Sequence, residues 1–125
     1  MITVTEIAFS CYPVTDMARA RAFYEGVLGL KLTMNQDMGE KGHRVEYDIG
    51  AGTLSLGRYE GWKPTGDGCT VGLEVEDFDQ AVADLQAANA PIKMGPFETP
   101  VCHMMMFSDP DGNTLILHKR KPGHH

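Results

Sequence analysis

The sequence predicts an α+β fold: two tandem β-α-β-β-β modules forming a cupped mixed sheet, with the helices on its outer face. Two observations carry the prediction. Strand-like and helix-like patterns run through the chain twice in the same order, and one constant offset of 61 residues superimposes the two runs. That offset pairs Val14 with Val75, Asp16 with Asp77, Ala20 with Ala81 and Ala22 with Ala83. It also pairs Asp48 with Asp109, Thr53 with Thr114, Leu54 with Leu115 and Leu56 with Leu117. A single spacing that serves both a strand-helix junction and a later hairpin marks an internal repeat. One module has a small sheet with a helix over one face only. Two modules can pair and leave their uncovered faces lining a concave space, where a ligand can sit.

Each element follows from its local pattern. TEIAFSCYPV is β-branched and aromatic without a helical period, and reads as the first strand. TDMARARAFYEGVLG places Met17, Ala20, Phe23, Tyr24, Val27 and Leu28 at helical spacing, starts at Thr15 or Asp16 as N-cap, and stops at Gly29. LKLTMNQ, HRVEYDI and TLSLGRY read as strands, the last two separated by a Gly-Ala-Gly turn. EGWKPTGDG, rich in Gly and Pro, is the linker. The order then repeats: the strand CTVGLEV, a helix in EDFDQAVADLQAANA capped near Asp77 and ended before Pro91, a short strand near Ile92, and the strand VCHMMMFS. An Asp-Pro-Asp-Gly-Asn turn leads into the final strand TLILHKR. The expected boundaries are module one over about 1–59, a linker over about 60–68, module two over about 69–120 and a flexible tail over 121–125. The last two residues, His124 and His125, are set aside from site reasoning.

Bulk properties narrow the function. At 125 residues the chain is one domain with room for a real core. Its 42% hydrophobic and 22% charged content is that of a soluble globular protein. A net charge of −6 argues against nucleic acid and against an anionic membrane surface as partners. No apolar run approaches the ~20 residues of a membrane span, and MITVTEIAFS lacks the basic-then-apolar pattern of a leader, so a cytoplasmic location is expected. Cys11, Cys69 and Cys102 are odd in number and show no Cys-x-x-Cys spacing, which argues against a disulfide frame or a zinc knuckle. No Cys or Ser sits in a nucleophile elbow, and neither GAG nor GDG joins a strand to a helix as a dinucleotide fingerprint does.

PVTDMARARAFYEGVLGLKL in the first half, with VEDFDQAVADL and FSDPDGNTLILH in the second, resembles the vicinal oxygen chelate superfamily. That superfamily holds glyoxalases, extradiol dioxygenases, epimerases, thiol transferases and bleomycin-resistance proteins. The resemblance covers roughly Ile2 to Lys119. It implies paired β-α-β-β-β modules, often in a homodimer with shared or self-contained cups. It further implies a divalent metal that chelates neighbouring substrate oxygens as a Lewis acid, held by His, Glu or Gln side chains on facing strands. The four positions to which the resemblance assigns metal ligands hold Phe9, Ser55, Thr70 and Ile116 here, and the 61-residue offset pairs Phe9 with Thr70 and Ser55 with Ile116. None of the four is a competent ligand, so the usual metal is expected to be absent.

Strand parity divides the remaining residues. Leu54, Leu56, Val71, Leu73, Val75, Leu115 and Leu117 fall on the helix side. The other parity gives Ile7, Phe9, Cys11, Thr53, Ser55, Thr70, Gly72, Glu74, Thr114, Ile116 and His118 as the lining. From these, Phe9, Cys11, Ser55, Thr70, Glu74, Ile116 and His118 are the candidate ligand-binding residues, and no catalytic residue is assigned. Burial in an apolar strand is expected to raise the Cys11 thiol pKa and leave it inert. His43 and Glu46 lie on opposite faces of their strand, and the face of His103, shared with Met105 and Phe107, is open between cup and helix. Tyr59 and Trp62 in the linker are either a lid over the ligand or an anchor for the crossing chain.

The expectation is a glyoxalase/bleomycin-resistance-like protein that binds a small, partly apolar ligand in the cup, without the usual metal or another cofactor, as a homodimer. The alternative is a metal-dependent lyase, isomerase or dioxygenase of the same superfamily with a displaced divalent metal site drawn from His118, His103, Glu74 and His43. A further reading has His118 or Glu74 acting as acid or base without metal. The ligand's identity and the choice between intrachain and swapped cups are left open.

Overall fold

The computed structural model describes residues 1–123; His124 and His125, and with them the end of the expected tail, lie outside the described residues. The chain divides into two compact units, Met1–Lys63 and the stretch from Pro64 onward. The first contains β1 (Ser10–Pro13), α1 (Met17–Arg21), β2 (Leu32–Asp37), β3 (His43–Ile49) and β4 (Gly52–Arg58). The second contains β5 (Val71–Glu74), α2 (Phe78–Ala87), β6 (Ile92–Glu98), β7 (Cys102–Ser108) and β8 (Thr114–Arg120). Each unit has one four-stranded sheet, ordered β1-β4-β3-β2 in the first and β5-β8-β7-β6 in the second. In each, the first strand runs parallel to the last and the other pairs are antiparallel. This is the α+β two-module fold the sequence predicts.

The 61-residue offset survives in the hydrogen-bond register. Cys11 lies opposite Ser55, and its repeat partner Gly72 lies opposite Ile116. The offset fails through the two middle strands of each module in chain order, where it is 60. Tyr47 lies opposite Leu54, but the residue opposite Leu115 is Phe107, a spacing of 60. The second hairpin turn is longer, so Asp48, within β3, is not the counterpart of Asp109, which sits past the end of β7. Asp109 instead ties the turn together: one carboxylate oxygen accepts the Asp111 and Asn113 amides at 2.9 Å each, and the other accepts the Asn113 side-chain amide at 2.9 Å. Gly112 takes φ +85 in this turn, a conformation open to glycine at little cost.

Both helices start where an Asp side chain accepts an amide of the first turn, Asp16 from Arg19 and Asp77 from Gln80. Such a cap satisfies one of the orphan donors at a helix start and contributes about 1 kcal/mol. The first helix departs from expectation. After Arg21 it continues as a π-helical stretch, Ala22–Val27, in which the Leu28 amide bonds the Phe23 carbonyl at 3.0 Å. The wider turn lets the consecutive residues Phe23 and Tyr24 both be buried, with Tyr24 stacked on Tyr47 at 6.2 Å.

The first strand is shorter than Thr5–Val14. Among the described residues its ladder partner is β4, and the register that puts Ser10 against Leu54 runs off the start of β4 within about two residues before Ser10. Residues before Ser10 therefore lie outside any strand and are exposed.

Of the expected helix-side residues, Leu54, Leu56, Leu115 and Leu117 are buried, while Val71, Leu73 and Val75 are half-buried. Tyr12, Val14, Val45, Tyr47, Leu54 and Leu56 are buried in the first unit; Met105, Phe107, Leu115 and Leu117 are buried in the second. Each buried aliphatic side chain of this kind contributes about 1.5–3 kcal/mol. The alternate residues of the same strands form the open face of each sheet.

Candidate functional site

On the open face of the first sheet, three sequence candidates come together. Cys11 and Ser55 are direct neighbours on β1 and β4, and Glu46 on β3 lies opposite Ser55. Ser55 is completely buried. Its hydroxyl donates to the Val45 carbonyl at 3.0 Å and accepts from Arg44 Nε at 2.9 Å. The backbone carbonyl thus fixes the hydroxyl rotor, and the hydroxyl in turn fixes the guanidinium. Glu46 holds Arg44 Nη2 at 2.6 Å. Phe9, nearly half exposed, lays its ring over the guanidinium with Cζ 4.2 Å from the ring centroid, a cation–π contact. Burial pushes the Cys11 thiol up, a rise that the Ser55 hydrogen bond and the Arg44 charge only partly offset, so the thiol stays protonated and unreactive at neutral pH.

One end of this face is closed by the linker aromatics. Gly57, on the Ser55 side of β4, has no side chain, and the Tyr59 and Trp62 rings press on it: a Cβ there would meet Tyr59 Cε2 at 2.7 Å and Trp62 Cζ3 at 3.0 Å. Tyr59 also covers Gly42, whose φ is +140. The rings are anchored on their own unit by glycines that leave room for them.

The open face of the second sheet carries Ile116 and His118 on β8, with Met104 and Met106 beside them on β7. Glu74 and His118 are neighbours across the parallel pair, and His118 Nδ1 sits 2.5 Å from Glu74 Oε1. The second Glu74 oxygen accepts the Arg120 amide at 2.8 Å. Burial by itself raises the Glu74 pKa, but the Arg120 amide and His118 outweigh it and hold the carboxyl below its ordinary range. Thr70 is exposed and precedes the first residue of β5. His103 falls on the helix side, its ring 5.6 Å from Phe78 at the start of α2. It shares no face with His118. His43 in the first unit bonds Asn35 at 2.6 Å.

A divalent cation does not fit what these faces present. Around Ser55 the available donors are one hydroxyl, one neutral thiol and one carboxylate already bonded to Arg44, and the guanidinium itself repels a second cation. Around Ile116 the Glu74 carboxylate is taken by His118 and Arg120. Among the described residues, no three His, Cys, Asp or Glu side chains are grouped to hold an ion.

Arg44 is the candidate site residue that the sequence reading left out. The signal was present: Arg44 and Glu46 share a strand face, and the β3–β4 pairing puts that face beside Ser55. His43 lies on the other face of β3.

The profile of the Glyoxalase/Bleomycin resistance protein/Dioxygenase superfamily matches residues 5–117. Among solved structures, the chain is similar to TnmS3, an antibiotic binding protein from Streptomyces sp. CB03234, at 27% identity and TM-score 0.79, over 97% of this chain and 100% of that one. It is similar to a glyoxalase/bleomycin resistance protein from the same Streptomyces strain at 30% identity and TM-score 0.72, over 90% of this chain and 98% of the other. The trypanothione-dependent glyoxalase I of Leishmania major shares the fold at 24% identity and TM-score 0.77, over 93% and 87% of the respective chains. No curated protein matches the chain.

Proposed function

The chain belongs to the glyoxalase/bleomycin resistance protein/dioxygenase superfamily, and we propose that it is a binding protein that sequesters a small, partly apolar compound of antibiotic type without a divalent metal. The observation that carries this reading is the occupancy of the first sheet's open face. Where the family resemblance calls for a metal ligand, Ser55 instead holds the guanidinium of Arg44. Phe9 and Cys11 beside it supply apolar lining without a nucleophile. Similarity to an antibiotic binding protein at 27% identity supports the ligand class.

Two titrations test it. Fluorescence titration with 2-naphthol, an uncharged aromatic probe, is expected to saturate at one site per chain. Calorimetric titration with Ni²⁺ or Zn²⁺ is expected to show no stoichiometric binding and no rise in Tm. Tight one-to-one metal binding overturns the metal-free reading, and failure of 2-naphthol to bind overturns the apolar lining. The same reading takes the chain as a single domain, with modules over about 1–59 and 69–120, that works as a homodimer. The exposed apolar residues Ile2, Val4 and Ile7 of the first unit support a partner surface. A monomeric sedimentation coefficient counts against it.

A further inference from the structure

We propose that Arg44 makes the open face of the first sheet selective for a planar aromatic ligand carrying two adjacent oxygen acceptors, of which an arene carboxylate is the simplest. The inference rests on the binding function above and names the ligand class of that site. A guanidinium has five N–H donors in one plane, four of them paired in two forks. Ser55 accepts from Nε and Glu46 from Nη2. Nη1 has no hydrogen-bond partner among the described residues, and the side chain is 24% exposed. The end fork of Nη1 and Nη2 matches a carboxylate or a pair of neighbouring oxygens bidentately.

The group is also held still. The Val45 carbonyl fixes Ser55, Ser55 and Glu46 fix the guanidinium edge, and the Phe9 ring covers one face of the plane. A donor pair immobilised before the ligand arrives loses little rotamer entropy on binding. Glu46 balances the Arg44 charge, so the fork recognises the geometry of two acceptors rather than bulk negative charge. The aromatic requirement comes from Phe9: the residue is 47% exposed while its ring lies over the guanidinium, which leaves apolar surface beside the fork for an aromatic ligand.

The test compares 3-hydroxy-2-naphthoate, which carries a carboxylate beside a phenol, with 2-naphthol, which lacks the carboxylate. Wild type is expected to bind the naphthoate about tenfold more tightly, the size of one charge-assisted bidentate contact after desolvation. Arg44→Met should bring the affinities of the two probes to within about threefold of each other. Arg44→Lys, which keeps the charge but not the fork, should recover only part of the preference. Should Arg44→Met fold poorly, Arg44→Lys gives the second reading. Equal affinities in wild type, or a preference that persists in full in Arg44→Met or in Arg44→Lys, each overturn the inference and leave the binding function standing. Naphthoate binding through Arg44 with no 2-naphthol binding does the opposite.

Discussion

Replacing Ser55 with Ala is expected to cost about 2 kcal/mol of stability and to loosen the site in the same stroke. The hydroxyl is completely buried and makes two bonds, accepting from Arg44 Nε at 2.9 Å and donating to the Val45 carbonyl at 3.0 Å. A neutral bond of this kind is worth roughly 1 kcal/mol, and a bond from a charged donor about 1.5–3. Arg44 is about a quarter exposed, so water recovers part of the second contribution, and the sum falls near 2 kcal/mol. With a urea slope of about 1.5 kcal/mol per molar, the unfolding midpoint should fall by roughly 1 M with the slope unchanged. A double-mutant cycle with Arg44→Met isolates the contact and should return about 1 kcal/mol of coupling, as expected for side chains in direct contact. A midpoint shift below about 0.3 M, or coupling indistinguishable from zero, would show that the hydroxyl neither stabilises the sheet nor positions the guanidinium.

Three other outcomes follow from the same geometry. Gly42→Ala should lose about 2 kcal/mol or more in urea unfolding, because φ +140 strains any side chain and the new Cβ would lie 2.3 Å from the Tyr59 ring; an unchanged midpoint contradicts that packing. Glu25 accepts two bonds from Arg21 and one from Tyr47, and these hold its carboxyl below the ordinary range despite partial burial. A depressed folded-state pKa adds stability that is present above the unfolded value of about 4.3 and is lost as pH falls through the folded one. Glu25→Gln should therefore destabilise the protein at pH 7 and converge on wild type in acid, and parallel pH-stability curves would refute the assignment. Tyr47→Phe removes the hydroxyl bonded to Glu25 at 2.9 Å and should cost about 1–2 kcal/mol with no change in 2-naphthol affinity, since Tyr47 lies on the helix side; a binding defect without a stability loss would contradict that placement.

Much of the architecture was legible in the chain. Strand parity placed Leu54, Leu56, Leu115 and Leu117 under the helices, because a side chain's face on a strand depends only on counting in twos. Helix starts at Asp16 and Asp77 were legible because the cap is a local hydrogen bond. The π-helical stretch after Arg21 was not, since it answers to Tyr47 stacking on Tyr24 from a strand more than twenty residues away. The early end of β1 was not either, because it depends on where its partner strand begins.

At the site, the sequence by itself determined that Phe9, Ser55, Thr70 and Ile116 stand where the resemblance calls for metal ligands, since residue identity at a fixed register is a matter of spacing. What surrounds these residues was decided only in three dimensions. Arg44 reaches Ser55 through an antiparallel register, and Phe9 reaches Arg44 from outside any strand. Glu74 finds His118 across a parallel pair of strands 44 residues apart in sequence. Such contacts are set by the relative slide of strands and the reach of long side chains, and no local pattern encodes either one.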